Sequence, residues 1–281
     1  MGLKTVVYTS DKKTNIFKEL NEIFKDIKSS NFLATQMAKR DLQAQYRQSY
    51  LGLVWAFLPI IVNSLVWIFL NSSGAINVNA PSGIPYPLYV IIGTTIWTIF
   101  IESLQMPINS INGGKSIISK INFPKEALLI SGYYKFFFNL ILKIIVIIAF
   151  LIIFQVSPNA SLVYLPLYLI IMMAFGSAIG IILAPIGLLY TDISRMITMG
   201  SQFLMYVTPV VYMVPESGWS KLLFELNPLT YLITDTRNTL VGMEINYLLL
   251  SGSIGFFSIL IFLFGLVFLR KSINILIEKI S

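Results

Sequence analysis

Ser131–Phe154 reads SGYYKFFFNLILKIIVIIAFLIIF, with Lys135 and Lys143 as its only charges. A run this long and apolar on every side is a candidate membrane span, because a helix rises 1.5 Å per residue and must cross a hydrocarbon core of about 30 Å. The rest of the chain agrees. Its 281 residues are 56% hydrophobic and 12% charged, whereas a soluble domain runs near 45–50% and about 25%. No charged residue occurs between Arg47 and Glu102, Lys143 and Asp192, Arg195 and Glu216, or Glu244 and Arg270. Each gap has room for at least one spanning helix.

Six crossings are predicted: Leu51–Asn71, Tyr86–Met106, Ser131–Phe154, Leu162–Tyr190, Met196–Met213 and Tyr247–Leu269. The fold class is therefore all-α and integral to the membrane. Basic residues set the orientation. Sixteen of the twenty Lys and Arg lie in residues 1–50, in the second loop (Lys115, Lys120, Lys125), at Arg195, or at the C-terminal end (Arg270, Lys271, Lys279). All these regions share one side, so the positive-inside rule places both termini in the cytoplasm. The net charge of +7 then serves topology and contact with anionic lipid, and does not mark a nucleic-acid surface.

The chain has no cysteine and no histidine, which excludes disulfides, Cys or His nucleophiles, the common zinc and haem ligations and histidine proton relays. Serine–histidine and metal proteolysis are excluded with them, and no paired-aspartate motif supports aspartyl proteolysis. No internal repeat suggests the inverted halves of an ion-coupled carrier. The mixed charges of residues 1–30 do not read as a cleaved signal peptide.

One motif invites an enzymatic reading. Ile111–Glu126 is INGGKSIISKINFPKE, and Gly114-Lys115-Ser116 matches the end of a phosphate-binding P-loop. The required first glycine is Asn109, and a predicted membrane helix precedes it where a strand should stand. The stretch reads instead as a short cytoplasmic helix, Ile111–Ile121, between Pro107 and Pro124, suited to a soluble partner.

Two helices are predicted before the first span. Ile16, Phe17, Leu20, Ile23, Phe24 and Ile27 form one apolar stripe opposite Lys18, Glu22, Lys25 and Asp26, the pattern of a surface helix. From Ser30 to Ser49, Gln36, Arg40, Gln43 and Arg47 share one face, while Ala38, Leu42 and Tyr46 share another. That helix should lie at the interface. Between the last two spans, Trp219–Leu226 and Thr230–Val241 are too short and polar to cross. They read as a re-entrant pair dipping into the outer leaflet, covered by protein.

Charges within spans are expensive and seek partners. Glu102 is expected to pair with Lys135, and the deeper Lys143 to be paired, to snorkel, or to meet a phosphate on a substrate. Among the span aromatics, Trp55, Trp97 and Tyr206 are candidates to line a pathway.

The strings RDLQAQYRQSYLGLVWAFLPI (Arg40–Ile60), KINFPKEAL (Lys120–Leu128), YTDISRMI (Tyr190–Ile197), TPVVY (Thr208–Tyr212) and NPLTYLI (Asn227–Ile233), in this order, resemble ABC-2 type permeases. The closest resemblance is to those exporting lipid-linked O-antigen, capsule or teichoic acid. It covers about residues 32–271. It implies a homodimer of six-span subunits in the bacterial cytoplasmic membrane, working with two copies of a separate ATP-binding subunit. That subunit would hold ATP and Mg, and this chain no cofactor or metal and no catalytic residue. The divisions implied are interface helices at 1–50, a transmembrane domain at 51–271 and a tail at 272–281.

Within the domain, 107–124 would hold the coupling helix, with Gly113, Gly114, Lys115, Ser116 and Lys120 at the ATPase and Arg40 and Arg47 flanking. Residues 214–246, with Trp219, Asn227, Pro228 and Tyr231, would hold external gate helices. Relatives often carry arginine before the aspartate of the fourth loop. Here that residue is Thr191, so the arrangement at Asp192 would draw on Arg195. The alternatives are an ABC-2 permease for a small hydrophobic compound and an ion-coupled carrier.

Overall fold

A computed structural model describes residues 16–47, 50–78, 80–81, 83–115, 123–190 and 192–280, and of residues 274, 275 and 277–280 the backbone alone. The described residues form ten α-helices and no strand: α1 (Ile16–Ser29), α2 (Asn31–Arg47), α3 (Leu58–Ser72), α4 (Tyr86–Gly113), α5 (Glu126–Ile153), α6 (Leu165–Leu189), α7 (Asp192–Tyr206), α8 (Trp219–Leu226), α9 (Pro228–Val241) and α10 (Leu248–Ile280). Short 3-10 turns at Gly52–Ala56 and Ala160–Tyr164 lead into α3 and α6.

Four helices are long and apolar enough to cross a membrane: α4, α5, α6 with its leading turn, and α10. Their burial differs sharply, with 78% of the apolar window of α4 inside the protein against 22% for α5. α4 is the central post; α5 presents Ile141, Ile145, Ile148 and Ile152 outward at helical spacing. The other two expected crossings hold helices of 15 residues, α3 and α7, about 22 Å each at 1.5 Å per residue.

The sequence predicts an end near Pro107 for the second span, but α4 continues through that proline to Gly113. A proline within a helix frees the carbonyl four residues earlier. Here that carbonyl belongs to Ser103, and the Ser177 hydroxyl on α6 donates to it at 3.4 Å. A neighbouring serine thus satisfies the group that would otherwise end the helix in an apolar setting. The last helix likewise outruns its predicted end at Leu269, reaching Ile280 through the expected tail.

α4 and α6 approach closely because α6 carries small residues where they meet. A Cβ on Gly180 would lie 2.1 Å from the Leu104 carbonyl oxygen, and one on Gly176 would lie 1.9 Å from Ser103 Oγ. Lipid tails are as apolar as leucine, so membrane helices associate through such close packing.

The stripe on α1 divides in two. Ile23 is fully buried with Leu20 and Ile27 packed beside it, whereas Ile16, Phe17 and Phe24 stay exposed. Asp26, expected on the polar face, turns inward to Arg270 on α10 at 2.8 Å, and Arg270 also reaches Glu126 at 3.4 Å. This ionic contact ties α1 to the start of α5 and to the body of α10. On α2 the expected faces hold: Arg40, Gln43 and Arg47 are exposed, and Ala38 is buried.

Candidate functional site

α2 runs beside the first turns of α5. Asn31 accepts from the Tyr134 hydroxyl, Asp41 pairs with Lys135 at 2.9 Å, and the Tyr46 ring meets Phe138 at 6.3 Å. Burial raises the Asp41 carboxyl, but hydrogen bonds and charge from Lys135 and Arg40 outweigh it and hold the group below the usual aspartate value. The expected Glu102–Lys135 pair does not form. α5 starts at Glu126, so Lys135 lies two and a half turns in, at the level of α2, and Asp41 takes it. Lys143 and Asn139 follow Lys135 at eight and four residues on the same face of α5, and both donate to the Glu102 carboxylate on α4. Lys143, 6% exposed, also approaches the Thr98 carbonyl at 3.4 Å.

These groups form one wall of a cavity of about 650 Å³ bounded by α2, the turn before α3, and α3, α4, α5 and α7. Amides and hydroxyls crowd it: Gln45, Asn63, Gln105, Asn109, Ser201 and Gln202. Trp55 and Trp97 line it too, the first 54% exposed and the second buried. So five of the six pathway and charge candidates touch one cavity or its wall. Tyr206 does not; it meets the Trp67 ring at 6.3 Å and lies exposed on α7.

At the end of α4, Gly113 has open space around its Cα, whereas a Cβ on Gly114 would meet Leu128 at 2.4 Å. Lys115 Nζ donates to the Leu188 carbonyl at 3.4 Å, fastening the end of α4 to the end of α6. Ser116, Lys120 and Thr191 lie outside the described residues. Asp192 and Arg195 face each other at 3.6 Å, both strongly exposed, and Arg40 is exposed beside Asp41.

The opposite end is organised by α8 and α9. Asn227 caps α9, accepting from Leu229 N at 3.0 Å, and its amide donates to Val207 O at 2.9 Å and Thr208 Oγ1 at 2.8 Å. Pro228 follows at the first helical position, where its missing N–H costs nothing. Tyr231 donates to the Glu225 carbonyl, its ring packs on Tyr247, and Trp219 is exposed.

Two buried charges here escaped the sequence reading. Asp235 is fully buried and accepts from the Tyr168 hydroxyl at 2.8 Å and the amides of Asn246 and Tyr247. Arg237 donates to the carbonyls of Pro209 at 2.9 Å and Val210 at 2.7 Å, with its guanidinium 3.7 Å from the centre of the Tyr89 ring. The signal available was the polar string TDTRNT at Thr234–Thr239 within an apolar helix; it sits in a segment whose charges suggest half-solvation. Arg237 reaches both carbonyls through the one nitrogen Nη2, so changing it to Met removes both hydrogen bonds and leaves two buried acceptors unpaired. We expect a loss of about 1–3 kcal/mol, read as a lower melting temperature in mild detergent; an unchanged melting curve would dismiss the clamp.

The sequence profile of the ABC-2 type transporter family matches residues 33–241, well over half of the chain. The chain belongs to that family. It is therefore a multi-pass membrane protein and the permease part of a transporter. Among similar proteins are two called O-antigen export system permease protein RfbA from Klebsiella pneumoniae, each 26% identical over 220 residues, covering 76% of this chain and 82% of theirs. A third of the same description, from Myxococcus xanthus, is 25% identical over 205 residues, covering 72% and 77%.

Proposed function

We propose that the chain is the membrane subunit of an ATP-driven exporter that moves an undecaprenyl-diphosphate-linked polysaccharide, such as O-antigen, capsule or teichoic acid, outward across the bacterial cytoplasmic membrane. The observation that carries this reading is the cavity beside Glu102 and Lys143. An amide- and hydroxyl-rich wall edged by tryptophan suits a sugar chain, and the names of the relatives point the same way.

In this reading each chain crosses six times. The turn Gly52–Ala56 lengthens α3, and residues 207–213 lengthen α7. α3 and α7 line the cavity and also carry exposed Val62, Leu65, Phe69, Met199 and Phe203; a second copy packs on these as a homodimer. Two copies of an ATP-binding subunit hold ATP and Mg beneath the Gly113–Lys120 region and α2, whose side faces the cytoplasm by its basic residues. Nucleotide-driven closure pushes there, and the Lys115–Leu188 contact passes the displacement to α6 and α7. The chain itself is no enzyme and binds no nucleic acid.

A second reading has its own observation. A cleft of about 650 Å³ near the outer end of α5 and α6 is lined by Ile147, Leu151, Leu165, Leu169 and Leu240, which would suit an ABC-2 permease for a small hydrophobic compound. Purification from the native membrane separates the readings. A co-eluting ATPase stimulated by lipid-linked glycan, with that glycan accumulating inside cells lacking this chain, is the expected result; stimulation by hydrophobic drugs alone would replace it. The double change Lys115→Glu, Lys120→Glu should leave insertion intact and stop export while ATP hydrolysis continues. Normal export would remove the coupling role.

A further inference from the structure

Among the described residues the cavity holds no uncommitted positive charge. Lys143 is held by Glu102, and Lys135 by Asp41, so a phosphate entering here would have to break an ion pair. The same wall does hold two polar atoms that lack a hydrogen-bond partner among the described residues while being buried: Tyr46 Oη and Asn139 Oδ1. Both residues line the cavity with Glu102. Buried polar atoms are rarely left unmatched, and water or a ligand usually completes them. One is a hydroxyl able to donate, the other an amide oxygen able only to accept. Burial, and then the charge of Glu102, push the Tyr46 phenol up, which keeps it a donor. The Asn139 amide nitrogen already serves Glu102, which fixes its oxygen as the end left for a ligand.

We propose that Tyr46, Asn139 and Glu102 form a hydroxyl-reading site that takes an uncharged, polyhydroxylated segment of the transported molecule and turns away its phosphates. Tyr46 Oη donates to one ligand oxygen, and a neighbouring ligand hydroxyl donates to Asn139 Oδ1. Lys143 is a positioning residue, holding the Glu102 carboxylate rather than meeting the ligand. This rests on the export reading above and adds to it which part of the substrate is bound here.

The test uses the full chain with its co-eluting ATPase in lipid nanodiscs, read by the fluorescence of Trp55 and Trp97 in the cavity. Two probes are titrated: neutral oligosaccharides released by mild acid from the source cell's own surface polysaccharide, and inorganic pyrophosphate. We expect a saturable change with the oligosaccharides and none with pyrophosphate. Tyr46→Phe, which keeps the ring on Phe138, should weaken oligosaccharide binding about tenfold, the equivalent of one buried hydrogen bond. Asn139→Leu should weaken it similarly. Saturable pyrophosphate binding that Lys143→Met abolishes would overturn the proposal in favour of an anion site. Oligosaccharide binding unchanged in both Tyr46→Phe and Asn139→Leu would also overturn it, leaving the export reading standing. The export reading fails separately if surface polysaccharide persists in cells lacking this chain.

Discussion

Gly180→Ala is expected to remove most of the folded protein, although it adds a single methyl group. The Cβ would sit 2.1 Å from the Leu104 carbonyl oxygen and 3.1 Å from Pro107 Cδ. Neither can swing aside: one is backbone within α4, the other a ring fused to it. α4 and α6 would have to separate along the seam that anchors the buried post of the bundle. The cost should exceed the about 1–3 kcal/mol usual for an overpacked core, because relief requires moving whole helices rather than one rotamer. Gly200→Ala is the matched comparison. Gly200 is helical, and a methyl group added there would have nothing within 4 Å, so the same change should be neutral or stabilise by up to about 1 kcal/mol through helix propensity. Size exclusion and thermal unfolding in mild detergent read both. Equal behaviour of the two variants would show that the seam does not carry the fold.

The sequence made the broad organisation legible for a physical reason. Exclusion of charge from hydrocarbon is a property of each segment alone, so the uncharged gaps mark the long helices, and the break at Asn227-Pro228 marks the boundary of α8 and α9. Partners are set by registers between helices, which no segment carries by itself. Glu102 and Lys135 stand at similar predicted depths, yet α2 intervenes and Lys143 answers Glu102 instead. The stop at Pro107 failed for a similar reason, since only the packing of α6 shows Ser177 beside the freed carbonyl. α9 hid its burial because Asp235 and Arg237 look solvated until Tyr168, Pro209 and Val210 are brought to them. Of the cavity, the sequence offered Trp55, Trp97, Glu102, Lys135 and Lys143 as separate candidates. It could not show Tyr46 or Asn139 as part of the wall, because each becomes notable only when packing leaves an atom without a partner.

Lys143→Met should destabilise the protein by about 3 kcal/mol, the lower part of the range for breaking a buried ion pair. The lower part applies because Glu102 keeps 28% of its side chain exposed to the cavity, where water can offset part of its lost partner. The methionine fills similar volume, so the loss reports a stranded carboxylate rather than a void. Glu102→Gln strands the opposite charge on a lysine that is 6% exposed, and should cost as much or more. The double variant Glu102→Gln, Lys143→Met removes both charges and keeps the Asn139 contact to an amide oxygen. It should recover most of the stability, since replacing a whole buried pair is often near neutral. The four proteins compared by thermal unfolding form a double-mutant cycle. Additive losses would mean that Lys143 and Glu102 do not stabilise each other, and the lysine would then be free to meet an anion in the cavity.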